Sequence, residues 1–340
     1  MADTMPDASV RSEMADRLLA AAGWSGAVRH PLPGDASARR YIRLTQGGES
    51  RMLVDAPPGR EDLGKYLRLN RHLASLGLRV PVIHAADEAS GFALIEDFGD
   101  ATFTRLLAAG EAEAKLYDRA ADVLVRLQQA PGATDIVAPP YDDALLLEEA
   151  GRCALWYLPL AMGRDLTEAE RADFDAVWRR TLGDIRDCRD VLVYRDFHVD
   201  NLMIVDGPKG PEVGLLDFQD AVIGHPAYDL VSLIEDARRD LAPATRERVL
   251  ARYREAMGVG ADELVEKVAI LGAQRHTKIL GLFVRLSRRD GKHGYLPHIP
   301  RLQRQLAGAL QHPALAEVAR MMHEIAPGYE SLNVTPPSGS

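Results

Sequence analysis

The sequence predicts an α+β chain of two lobes, a small β-rich one followed by a larger, mainly helical one. Three observations predict it. The 340 residues are more than one compact core usually organises. Short β-type runs separated by turn signals crowd the first hundred residues. Beyond them helical periodicity dominates, interrupted once by three short β-type runs.

Met1 to Val10 is acidic and small-residue-rich with no apolar run, unlike a secretory signal. Tyr41-Ile42-Arg43-Leu44 and Met52-Leu53-Val54 read as strands about the turn at Gln46-Gly47-Gly48. Leu63 to Leu76 reads as a helix, with Leu63, Tyr66, Leu67, Leu69 and Leu73 near helical spacing and Gly77 as its stop. Val80 to His84 and Phe92 to Ile95 resume strand character, and Glu96-Asp97-Phe98-Gly99-Asp100 forms a connector. The first lobe is therefore expected over 1–98, the second over 99–326, with a loose tail over 327–340. In the second lobe Leu116, Ala120, Val123, Leu124 and Leu127 make one apolar stripe. Thr167-Glu168-Ala169-Glu170 is a capping-box pattern ahead of Phe174, Trp178, Leu182 and Ile185. Val191-Leu192-Val193, Leu202 to Val205 and Val213 to Leu216 are the interrupting strands, and helices return from Tyr228 to about Met321.

Charge and cysteine content narrow the function. A net charge of -9 with pI near 5.6 lends no support to general binding of nucleic acid or membrane surfaces. No stretch approaches a membrane span of roughly 18 apolar residues. Cys153 and Cys188 have no zinc-type spacing and read as reduced thiols. A cytoplasmic monomer with a small-molecule substrate is expected.

The chemistry lies at the β insert. Tyr194-Arg195-Asp196-Phe197-His198-Val199-Asp200-Asn201 is followed sixteen positions later by Asp217 in Leu216-Asp217-Phe218-Gln219. Such a set suits phosphoryl transfer, which demands positioning and charge neutralisation more than covalent help. Asp196, just after a strand, would orient or deprotonate an acceptor hydroxyl. Asn201 and Asp217, on either side of a hairpin, would hold Mg²⁺ through oxygen ligands. Each residue alone reads more simply as a loop acid or turn amide; the combination points to ATP and Mg²⁺ as cofactors. Pro33-Gly34-Asp35-Ala36-Ser37-Ala38, with Gly34, Asp35 and Ser37 as its binding residues, could fold over phosphates or be a plain turn. Glu96 to Phe98 could offer backbone groups to an adenine edge or simply link the lobes. His198 could touch substrate or phosphate or make a structural hydrogen bond, and Arg195 should pair with an acid near the loop.

On these residues the chain resembles the aminoglycoside phosphotransferase and choline kinase superfamily, from about Arg29 to about Leu306. Within it the chain is most similar to bacterial anomeric sugar kinases acting on N-acetylmuramate and N-acetylglucosamine. The segments that carry this are Leu32 to Ser37, Asp55-Ala56-Pro57-Pro58, Leu216 to Ala221, Tyr228 to Leu233 and Arg289 to Leu296. The resemblance implies a bilobal protein-kinase-like fold, Asp196 as catalytic aspartate, Asn201 and Asp217 as metal ligands, and Asp229 steadying the second lobe. It implies sugar 1-phosphates as products, made in peptidoglycan recycling.

Two departures stand out. Tyr194 occupies a position that the family commonly gives to His. The third-strand lysine of kinase folds is missing: the comparable strand reads Met52-Leu53-Val54-Asp55, and Tyr66 stands near the position of the helix glutamate. Arg39, Arg40, Arg43 and Lys65 are candidate replacement cations, and Asp55 is a pocket residue or a buttress. For the acceptor, the basic excess from Arg275 to Lys292 favours a neutral or anionic sugar over a cationic one. Asp220, Arg288, Asp290, Lys292 and Tyr295 join His198 as candidate substrate contacts, with Arg289 to Tyr295 read as a loop. Two alternatives stay open: phosphorylation of an aminoglycoside, choline or homoserine, and a silent nucleotide-binding scaffold.

Overall fold

The computed structural model describes residues 8–34, 38–208 and 210–337. Along the chain run α1 (Ala8–Ala21), β1 (Val28–Pro31), β2 (Arg40–Gln46), β3 (Glu49–Asp55), α2 (Leu63–Ser75), β4 (Ile83–Asp87), β5 (Phe92–Glu96) and α3 (Phe103–Ala108). Then come α4 (Glu113–Gln129), α5 (Asp143–Arg152), a π-turn at Cys153–Tyr157, α6 (Leu158–Met162), α7 (Glu168–Leu182), β6 (Val191–Val193), β7 (Leu202–Gly207), β8 (Gly210–Leu215) and β9 (Val222–Gly224). The chain finishes with α8 (Ala227–Ile234), α9 (Pro243–Met257), α10 (Ala261–Asp290), α11 (Ile299–Ala309) and α12 (Ala316–Ile325).

The chain divides into two compact units. The first combines Met1–Gly110 with Asp200–Gln219, and the second combines Glu111–Val199 with Asp220–Ser340. In the first unit, five antiparallel strands lie in the order β1-β2-β3-β5-β4. One sheet face packs on α1, where Leu18, Leu19 and Trp24 meet Leu44, Leu53, Phe92 and Leu94. Neither α1 nor β1 stands out in sequence, because α1 has only a sparse apolar stripe and turns Arg11 inward. Arg11 stays buried because its Nε donates to Asp55 Oδ1 at 3.1 Å and its Nη1 donates to the Ser90 carbonyl. Asp55 is thus a buttress between β3 and α1.

The β7–β8 hairpin also belongs to the first unit, although it follows some ninety residues of the second. Backbone pairing explains this. Leu215 N–H donates to the Arg79 carbonyl at 2.8 Å and Ile204 N–H donates to the Ala101 carbonyl at 3.0 Å. Gly214 lets the Phe98 ring close in, since a Cβ there would fall 2.6 Å from it.

The second unit is helical around a two-stranded β6–β9 pair. Trp178, Tyr117, Tyr157, Tyr228, Tyr253 and Phe174 fill its interior, and the expected stripe on α4 is buried throughout. Thr167 and Glu170 form the anticipated capping box of α7. The 30-residue α10 runs through the unit, and Gly281 allows it to press on the chain at Arg152, where a Cβ would come within 2.2 Å of backbone.

Two sequence expectations need correction here. The segment after Ile325 is tied down through Thr335: Tyr157 O–H donates to the Tyr329 carbonyl, Gln303 Nε2 donates to the Leu332 carbonyl at 2.9 Å, and Arg288 Nη2 donates to the Thr335 carbonyl at 3.1 Å. Arg289 and Asp290 lie on α10 and not in a loop. The helix ends only at Gly291, whose φ of 67° caps it, and a 3-10 turn spans His293–His298.

Candidate active site

The hairpin end in the first unit carries Asn201 and Asp217. Leu202 pairs with Leu215, and Leu216 N–H donates to the Asn201 carbonyl at 3.0 Å, so the residues flanking this pair sit side by side. Asp217 adopts φ 64°, a left-handed conformation that costs a non-glycine residue of order 1 kcal/mol. Its neighbours hold it there. Phe218 stacks on Tyr66 with ring centroids 5.1 Å apart, and Gln219 Nε2 donates to Asp217 Oδ1 at 2.8 Å. Asp217 stays exposed to solvent and Asn201 half-buried. An amide oxygen plus a carboxylate is a hard donor pair that suits Mg²⁺ completed by waters and phosphate oxygens. Among the described residues no group of three or more His, Cys, Asp or Glu side chains could hold a metal, which leaves no zinc-type cage.

The same unit ranks the cations that could replace the strand lysine. Arg39 is buried just before β2, and its Nη2 lies 3.0 Å from Glu61 Oε2. Glu61 also accepts the Ala38 N–H at 3.0 Å, and so fixes the backbone just ahead of β2. Burial opposes the Arg39 charge, but Tyr41, Glu61 and Asp217 together hold its pKa above the ordinary arginine value. Arg39 is therefore within electrostatic reach of Asp217. Arg43 is engaged by Asp97, Asp100 and the Gly99 carbonyl, and Arg40 is exposed. Glu61 is a partner that sequence inspection missed, since it lies one position ahead of the Asp62 N-cap of α2 and outside the helical stripe.

Gly34 is exposed, whereas Asp35 and Ser37 lie outside the described residues. The Glu96 carboxylate grips the Arg79 guanidinium through both oxygens and accepts the Val82 N–H at 3.1 Å, while the Glu96 N–H donates to the Val82 carbonyl. Phe98 packs between the Arg79 guanidinium, 4.7 Å from its centroid, and β8.

The second unit carries Asp196 on the loop after β6. Arg195 takes φ 75°, and three contacts hold that strained backbone. Its N–H donates to Asp229 Oδ1 at 2.8 Å, its carbonyl accepts the Ser232 hydroxyl at 3.2 Å, and its guanidinium pairs with Glu149. The expected acid partner of Arg195 is thus Glu149, and Asp229 steadies the loop from α8, its other oxygen accepting the Tyr194 N–H at 2.6 Å. Burial pushes the Asp229 carboxyl up to about 7 against the pull of those two N–H groups.

Burial also opposes ionisation of Asp196, but the positive groups around it win. Lys278 contributes most, then His198, Arg275 and Arg195, and they hold the carboxyl below the usual aspartate range. Lys278 Nζ itself sits 2.8 Å from Glu149 Oε1 and donates to the Tyr228 hydroxyl at 3.2 Å. Glu149, fully buried, is held down to about 2 despite that burial, by Lys278 and Arg195. His198 is buried with Nε2 3.4 Å from Arg238 Nη1, and burial, then Arg238, lower its pKa.

The remaining acceptor candidates separate from this cluster. Asp220 is exposed, and its carbonyl accepts Arg195 Nη1 at 3.2 Å. Arg288 and Asp290 lie about 20 Å along α10 from Arg275, at 1.5 Å of rise per residue. Asp290 pairs with its neighbour Arg289, the Lys292 N–H donates to the Leu286 carbonyl, and Tyr295 packs on Phe283 at 5.0 Å. These four are brought together at the C-terminal end of α10 and not at Asp196. Lys278 and Glu149 are what the sequence concealed: each sits inside a helical stripe where a charge reads as solvated.

The phosphotransferase enzyme family matches residues 28–264. The chain is 35% identical over 302 residues to the N-acetylmuramate/N-acetylglucosamine kinase of Pseudomonas putida, covering 86% of this chain and 87% of that one. It is 34% identical over 346 residues to the enzyme of that name from Caulobacter vibrioides, covering 91% and 95%. The fold is shared with the choline kinase LicA of Streptococcus pneumoniae at a TM-score of 0.62 and 15% identity, over 88% of this chain and 99% of that one. It is shared likewise with an ADP-bound aminoglycoside phosphotransferase, APH(2'')-Ib, at 0.59 and 14% identity, over 89% and 99%.

Proposed function

The chain belongs to the phosphotransferase enzyme family, and we propose from that premise that it moves the terminal phosphate of ATP to the anomeric hydroxyl of N-acetylmuramate and N-acetylglucosamine. The observation that carries this reading is the state of Asp196, a carboxylate kept ionised by the cations around it and fixed on a loop pinned to Asp229. The names of the relatives support the acceptor class.

Asp196 accepts a hydrogen bond from the sugar hydroxyl and orients its oxygen toward phosphorus. Because its pKa is depressed, it takes the proton only as the new O–P bond forms. A weak base is adequate here, since an anomeric hydroxyl is more acidic than other ring alcohols. Asn201 and Asp217 would hold Mg²⁺, which when bound would supply charge neutralisation at the phosphate oxygens. Arg39, braced by Glu61, takes over the charge role of the absent strand lysine. That pair weakens the case for a silent scaffold, which rested on the missing lysine. The product, a sugar 1-phosphate, fits a cytoplasmic route that returns cell-wall sugars to nucleotide-activated form.

The test is incubation of purified protein with ATP, Mg²⁺ and each sugar, with the phosphorylated position read by phosphorus–proton NMR. A C1-phosphate is expected from both sugars. Turnover confined to aminoglycosides, choline or homoserine would overturn the acceptor assignment while leaving the family intact.

A further inference from the structure

Among the described residues, the cations that surround the Asp196 loop are mostly neutralised at contact distance. Arg195 and Lys278 share Glu149, and Arg238 lies 3.8 Å from Asp236. Arg275 is the exception. It is 3% exposed, no carboxylate pairs with it among the described residues, and its Nη1 is sealed from solvent with no hydrogen-bond partner. Leaving a buried guanidinium N–H without an acceptor is unfavourable. Arg275 stands on α10 one turn before Lys278 and acts on the charges of Asp196, His198 and Asp229 without bonding to any of them. A buried guanidinium whose Nη1 has no acceptor offers a charged donor to a bound carboxylate or phosphate.

We propose that Arg275 receives the carboxylate of an anionic acceptor and so sets the preference for N-acetylmuramate over N-acetylglucosamine. The inference rests on the acceptor reading above and deepens it. The lactyl carboxylate of N-acetylmuramate hangs from C3, two ring positions from the reacting C1 hydroxyl. Its receptor must therefore lie near the hydroxyl-binding carboxylate without touching it. Arg275 meets that requirement, whereas Arg288 and Lys292 lie toward the far end of α10. The transferring phosphoryl group offers the same anionic chemistry, and the neutral sugar separates the two.

The experiment compares wild type, Arg275→Met and Arg275→Lys on both sugars at saturating ATP. Methionine keeps the volume and removes a buried charge, a change that is often neutral or stabilising. For N-acetylmuramate, kcat/KM should fall about 100-fold, mainly through KM. For N-acetylglucosamine the fall should be at least about tenfold smaller, reflecting only the weaker hold on the Asp196 charge, and lysine should restore part of the N-acetylmuramate rate. An equal loss on both sugars would assign Arg275 to the phosphoryl group or to the fold, and no loss would make it a bystander; either overturns the proposal. If wild type phosphorylates neither sugar, the acceptor reading falls. The anion site is then judged by the thermal shift that N-acetylmuramate and D-lactate induce in wild type and not in Arg275→Met; no difference between the two proteins overturns it.

Discussion

The hairpin end at Asn201 and Asp217 and the loop at Asp196 are built by opposite means. At the hairpin, backbone pairing does the positioning and the acidic group is exposed to water. At the loop, side chains do it: Glu149, Asp229 and Lys278, each buried, hold a strained backbone and a carboxylate that burial disfavours. An exposed metal ligand needs little support, because water and phosphate oxygens complete its shell. A desolvated carboxylate that must stay ionised needs surrounding positive charge, and that charge must itself be paired. The first arrangement should tolerate change at its rim. The second should fail when any member is lost.

The sharpest break in that contrast is Asp196→Asn. Turnover should fall about 10³-fold while ATP affinity, read by calorimetry, stays near wild type. Near-normal turnover would return Asp196 to an ordinary loop acid.

Glu149→Gln should be next, and should act on stability. Removing the shared partner of Arg195 and Lys278 leaves two buried cations uncompensated, at a cost of about 3 kcal/mol in denaturant unfolding. The sign with pH follows from the depressed Glu149 pKa, about 2 in the fold. Its stabilisation is present above the ordinary glutamate range near 4.5 and disappears as pH falls toward 2. Wild type should lose stability across that window faster than Glu149→Gln. Parallel acid-unfolding curves would show that Glu149 is not the buried counter-ion described here.

Within the hairpin region, Arg39→Met should lower kcat/KM for ATP about 30-fold, and Arg39→Lys should recover most of it. If both variants match wild type, the polyphosphate cation lies elsewhere. The smallest effect is expected of Gln219→Ala. It removes a single hydrogen bond to an exposed carboxylate and should raise the Mg²⁺ requirement only about threefold. An effect as large as that of Asp196→Asn would erase the distinction between the two regions.

Legibility in the sequence follows the same division. The strands at Val191, Leu202 and Val213 and the reading of Asn201 with Asp217 came from short-range rules, because a hairpin's register is set by residues close in sequence. The α4 stripe and the capping box at Thr167 were legible for the same reason. Helix α1 has no clear sequence signal because its core contacts rest on the few apolar residues Ala15, Leu18 and Leu19, while the inward Arg11 meets Asp55 44 positions away. The acceptor candidates Arg288, Asp290, Lys292 and Tyr295 were chosen as a loop near a helix break. The break is real at Gly291, but α10 carries it about 20 Å from Arg275.

By itself the sequence determined the α+β class and the family, and singled out Asp196, Asn201 and Asp217. Each of these is written in local spacing and in side-chain chemistry that tolerates few substitutes. Tertiary structure alone decided that the hairpin joins the first unit, that Glu61 braces Arg39, and that Glu149 and Lys278 surround the Asp196 loop. Buried charge has no periodic signature: a Glu or Lys inside a helical stripe looks solvated until folding brings its partner from another element, and only then does desolvation make it strong.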